Sequence, residues 1–161
     1  MEGCDHMAGR TSPEDGDHPV VQQVVRGLLA IPPDHADPRE AAIVAAETAY
    51  GQLRARLVMS LGELGFDALW ARAIRLAMTP TAVAAMRQGR PLDPALRTLV
   101  HDRDTDATTR VLHGVFTRFF EVFVTFIGEP LMVGIITQLW PALTERISDP
   151  MQRKELDHDA I

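Results

Sequence analysis

Residues Val111 to Trp140 read VLHGVFTRFFEVFVTFIGEPLMVGIITQLW. Five of the chain's six phenylalanines and one of its two tryptophans lie in this stretch. Leu112, Val115, Phe116, Phe119, Phe120, Phe123 and Ile127 recur at steps of three and four, which sets them on one face of a helix. Val111, Val122, Val124 and Phe126 fall off that stripe, so the helix is apolar over most of its circumference. Its polar strip is narrow: Arg110, Gly114, Thr117, Arg118, Glu121 and Thr125. A helix wetted on so small an arc is expected inside a bundle, with neighbours on several sides.

A bilayer span is the competing reading of such a run. It needs about 20 predominantly apolar residues. Arg118, Glu121 and Glu129 interrupt the stretch, and each charge near a bilayer centre costs about 2.5–3.5 kcal/mol on insertion scales. No membrane span is expected. Gly128-Glu129-Pro130 predicts a sharp turn, since glycine accepts a left-handed cap and proline cannot continue a helix unbroken. A second helix is predicted after it, with Leu131, Met132, Ile135, Ile136, Leu139, Trp140 and Leu143 on one face and Pro141 fraying its last turn.

Working outward, Val20 to Ile31 predicts a first helix, with Val20, Val21, Val24, Val25, Leu28 and Leu29 as its stripe, ending at Pro32-Pro33. Asp37 then caps a second helix, Pro38 occupies its first position, and Glu40 is placed to close a capping box. Ile43, Ala46, Tyr50, Leu53, Leu57, Leu61 and Leu64 mark its buried side. The Gly62–Gly65 region ends it. A third helix is predicted over Phe66–Met78, with Phe66, Leu69, Trp70, Ala73, Ile74 and Ala77 inward and Arg72 and Arg75 outward. Short helices over Pro80–Gln88 and from Pro94 to about His101 follow. Thr105 or Asp106 is expected to cap the central helix.

No segment alternates apolar and polar residues, and no Asn-Gly or Asp-Gly joins two β-branched runs. The expectation is all-α: an irregular bundle of five to seven helices around a central hydrophobic helix at about 106–127. Residues 1–19 read as a disordered polar leader, 20–143 as a single helical domain, and 144–161 as a charged, mobile tail.

Composition narrows function mostly by exclusion. The net charge is −6 and no basic block is present, which argues against nucleic acid as a partner. Arg54, Arg56, Arg72 and Arg75 form at most a local basic patch. The single cysteine, Cys4, excludes an internal disulfide framework and a cysteine-rich zinc site. The leader holds no apolar run, so it is not read as a secretory signal, and a reducing cytoplasm is expected. Abundant Ala and Arg with scarce Lys suggest a GC-rich bacterial genome.

The chemistry-bearing residues are few. His113 lies beside the phenylalanine stripe, where with Phe116 and Phe120 it could hold haem or another flat apolar ligand; the competing reading places it on the polar strip. No CxxCH is present, so covalent haem attachment is excluded. His113-Gly114 with Arg118 is a loose echo of a phosphotransfer helix, among too many phenylalanines for an accessible face. His101, Asp102, Asp104 and Asp106 lack the three- or four-residue steps of a helical metal site and read as a charged connection. GxSxG, GxGxxG and GxxxxGK[ST] are all missing. No catalytic residues, metal ligands or obligatory cofactor are assigned.

What remains is apolar surface in excess of what short helices can cover. The expected function is therefore a non-enzymatic helical regulatory or adaptor module acting through protein–protein contact, as a homodimer or with another protein. Phe119, Phe123, Leu131, Ile135, Leu139 and Trp140 are the candidate interface. The alternative is a sensor binding haem or another apolar small ligand between the central helices.

Overall fold

The computed structural model describes residues 18–30, 36–78, 95–143 and 145. Among them the chain forms five helices and no strand: α1 (Pro19–Leu28), α2 (Pro38–Ala77), α3 (Ala95–Leu99), α4 (Thr105–Ile127) and α5 (Glu129–Leu139). The class is all-α, a helical bundle. The helix expected over 80–88, the leader and the tail beyond residue 145 lie outside the described residues.

The central stretch folds as its periodicity dictates. Helix α4 buries Leu112, Val115, Phe116, Phe119, Phe120, Val122 and Phe123. Its N-cap is Asp104, one residue before the expected Thr105 or Asp106; the carboxylate accepts the Ala107 N–H at 2.7 Å. Asp104 wins because an aspartate with extended backbone reaches an amide three residues on. At the other end Gly128 adopts φ 87°, ψ 153°, and its N–H closes on the Val124 carbonyl at 2.8 Å. That conformation is essentially open to glycine alone. It turns the chain directly into α5, with Pro130 in the first turn, where its missing N–H costs nothing.

The cover over α4 comes mostly from the longest helix. Helix α2 runs through Gly62, which sits at φ 74°, ψ 165° and kinks it. Two arms result. The first buries Ala41, Ala42, Ile43, Ala46, Ala49, Tyr50, Leu53 and Leu57, with small alanines allowing close approach. The second buries Phe66, Trp70, Ala73 and Ile74. The kink resets the helical phase, which corrects one expectation: Leu64 is not on the buried side but 87% exposed. The capping box is corrected too. Asp37 accepts from the N–H groups of Arg39 and Glu40, but the Glu40 carboxylate turns outward to Arg97.

The two arms and α4 share an aromatic core. The Phe119 ring lies 5.8 Å from Phe66, 5.4 Å from Trp70, 5.6 Å from Phe120 and 5.9 Å from Phe123, centroid to centroid. Trp70 meets Tyr50 at 4.7 Å and sits edge-on to Phe116 at 5.4 Å. Tilted and edge-to-face rings satisfy the aromatic quadrupoles, adding about 0.5–1.5 kcal/mol per pair beyond burial. Among the described residues, two buried side-chain polar atoms, the Trp70 Nε1 and the Thr108 Oγ1, have no hydrogen-bond partner. Val21, Val24, Val25 and Leu29 of α1, Leu96, Leu99 and Val100 in and after α3, and Met132 and Ile136 of α5 complete the cluster. Leu143 packs over Gly27 of α1, where an added Cβ would oblige the end of that side chain to shift.

Polar clamps fix the start of α2 against α3. The Arg39 guanidinium donates to the carbonyls of Val100, His101 and Arg103 at 2.8, 3.1 and 2.9 Å. Arg97 reaches back to Glu47 at 2.8 Å and Glu40 at 2.9 Å. These two carboxylates, first of all Glu47, raise the guanidinium's already high pKa. Exposed pairs contribute little singly, but a planar guanidinium shared by two carboxylates fixes orientation.

Candidate functional site

Two features of the surface stand out, both built at the C-terminal end of α4. The first is a groove of about 460 Å³ between the second arm of α2 and the end of α4. Leu61, Leu69, Phe123, Phe126 and Ile127 supply its apolar wall, and Gly65, without a side chain, and the small Ala68 also line it. Arg72 and Arg75 line it as well, and no acidic side chain does among the described residues. Arg72 and Arg75 lie three apart on one helical face and make no hydrogen bond or ion pair among the described residues. The other two members of the arginine group are occupied elsewhere: Arg54 lies 3.8 Å from Glu63, and Arg56 donates to Gln138 Oε1 at 2.7 Å.

The second feature is the outward face of α5. Leu131 is 62% exposed and Val133 37%. Phe126, across the Gly128 turn, is 68% exposed. After Glu129 the helix carries no charged residue, and Gly134 opens directly to space. Met132 and Ile136 hold the inner side against the core.

The structure divides the sequence-derived interface residues into two groups. Phe119 and Phe123 are covered by the chain's own helices and belong to the core, although Phe123 also floors the groove. Leu131 is exposed, and Ile135, Leu139 and Trp140 are partly buried along α5. The cofactor candidates separate in the same way. Phe116 and Phe120 are fully buried in the aromatic packing, while His113 is half-buried on α4, near enough to Arg26 of α1 to feel its charge. None of the three lines the groove. Burial pushes the His113 imidazole pKa below its usual 6.5, and the nearby Arg26 charge lowers it further. Arg118 is engaged by Glu121 at 2.9 Å.

The charged connection before α4 is structural where the contacts define it. His101 Nδ1 lies 2.9 Å from Asp102 with both side chains exposed, and Asp104 is the cap. Among the described residues no group of three or more His, Cys, Asp and Glu side chains could hold a metal ion. No described helix is long and apolar enough to cross a membrane. No protein-family model, curated protein or solved structure matches the chain. The fold and surface define a class only: an all-helical protein with an open apolar groove and an uncharged helix face.

Proposed function

We propose that this protein is a non-enzymatic regulatory or adaptor module that acts through protein–protein contact, with a second copy of itself as partner. The observation that carries this reading is the outer face of α5, where Leu131 and Val133 are exposed, with Phe126 exposed on the other side of the Gly128 turn. A chain of net charge −6 repels its own copies over most of its surface. The uncharged part of α5 is a face on which two copies meet without that repulsion, and a two-fold contact uses the same patch twice. Ile135, Leu139 and Trp140 border it. The arginine-rich, lysine-poor composition and the lack of a basic block support a bacterial cytoplasmic setting without nucleic acid as a partner.

Multi-angle light scattering over a concentration series is the test. A mass of about twice 17.8 kDa is expected, falling to the monomer value for Leu131→Asp. A strict monomer at the highest concentration, with nothing captured in a pulldown, overturns the self-contact. A second reading, a sensor for an apolar small ligand, is supported by the groove, although it lies between α2 and α4 and not between the two central helices where the ligand was expected. Haem itself has a separate check. A visible absorbance band on the purified protein, lost in His113→Ala, would support haem; a colourless protein removes it.

A further inference from the structure

We infer that the groove between the second arm of α2 and the end of α4 is a binding site for a free, single-chain amphipathic carboxylate, its tail on Phe123, Phe126 and Ile127 and its head on Arg72 and Arg75. This rests on the second reading above, that the groove holds an apolar small ligand, and adds the chemistry by which it is recognised.

The volume of about 460 Å³ lies in the range, about 300–1,000 Å³, that holds one small organic ligand. The walls reject a purely polar molecule, because Leu61, Leu69, Phe123, Phe126 and Ile127 offer it no hydrogen bond. An apolar chain gains by covering them, and Phe126 is the residue with most to cover. The rim then discriminates by charge. Arg72 and Arg75 line the same groove, are unpaired among the described residues, and face no acidic neighbour in it. In a chain with more acidic than basic residues, two guanidiniums beside an apolar groove, paired with no described residue, favour an anionic head. A guanidinium matches a carboxylate in a planar, two-point geometry, and it fixes where the head lies.

Isothermal titration calorimetry of the full chain with monomeric dodecanoate tests this, alongside dodecyltrimethylammonium, dodecanol and phosphatidylglycerol vesicles. Dodecanoate is expected to bind. The cation of the same chain length is expected not to, and dodecanol to bind at least about tenfold more weakly, the equivalent of one charge-assisted contact. The double variant R72Q/R75Q is expected to lose about tenfold or more in dodecanoate affinity, and A68W to abolish binding by filling the groove. Both sites are exposed, so unchanged circular-dichroism melts are expected for these variants. Equal binding of dodecanoate and dodecanol, or full affinity in R72Q/R75Q, overturns the charge recognition while leaving an apolar-ligand groove. No binding by any of the three chains overturns both readings. Co-sedimentation with vesicles that R72Q/R75Q abolishes, with no affinity for free dodecanoate, assigns the arginines to a lipid surface and overturns the inference.

Discussion

The same substitution made twice, two helical turns apart on α4, should give opposite results. Phe119 is fully buried and touches the rings of Phe66, Trp70, Phe120 and Phe123. Phe126 is 68% exposed. Truncating a buried phenylalanine to alanine costs about 3–5 kcal/mol, transfer and cavity together. Phe119 should sit at the top of that range, because its ring also loses several aromatic contacts. The neighbours are themselves large rings wedged between two helices, so the cavity cannot collapse easily. Against a total stability of about 5–15 kcal/mol, Phe119→Ala takes a large share of the folding free energy. Phe126→Ala should change stability by less than about 0.5 kcal/mol, because its ring is already largely in water. Urea unfolding followed by circular dichroism reads both. The midpoint should drop sharply for the first variant, with the slope unchanged, and barely move for the second. Similar midpoint shifts for the two variants, or a loss under about 1 kcal/mol for Phe119→Ala, would refute the packing described for α4.

Three further outcomes are expected. Gly62→Ala and Gly128→Ala should each lower stability by about 1–3 kcal/mol, since φ 74°, ψ 165° and φ 87°, ψ 153° are conformations side chains rarely adopt; unchanged urea midpoints would mean that neither turn is strained. His113 has a folded-state pKa below its unfolded 6.5, so the unfolded chain binds the extra proton more readily. Its contribution to stability is therefore intact above about pH 6.5 and declines as pH falls from there toward the folded pKa. His113→Gln should lack that decline, and parallel stability–pH curves for the two proteins would contradict it. Thr108→Val removes a buried hydroxyl that has no partner among the described residues, at nearly the same shape, and should raise stability by about 1 kcal/mol in thermal melts; a lower melting temperature would show that the hydroxyl is satisfied.

How much of this was readable from residues alone depends on sequence distance. Helix α4 was legible because its apolar period repeats over about four turns and ends at glycine. The inward faces of α1 and of the Phe66–Ile74 segment were legible for the same reason. Leu64 was misread because the period across Gly62 looks continuous in sequence, while one glycine with positive φ shifts the phase of everything after it. The Glu40 carboxylate was misassigned because its competitor, Arg97, lies 57 residues away. The groove is a tertiary product. Arg72 and Arg75 read as solvated arginines, and nothing local brings Phe123 and Ile127 to their side. Phe119 and Phe123 were right as apolar anchors and wrong as free surface, since periodicity cannot tell a face covered by its own chain from one covered by another.

Hydrogen–deuterium exchange along the native chain bears most directly on the aromatic helix as the centre of the fold. Amides from Val115 to Phe123 should be the slowest in the molecule, exchanging only when the whole chain unfolds, with α5 and α1 opening earlier. Exchange of that segment at the rate of α5, or faster, would contradict a core built on α4.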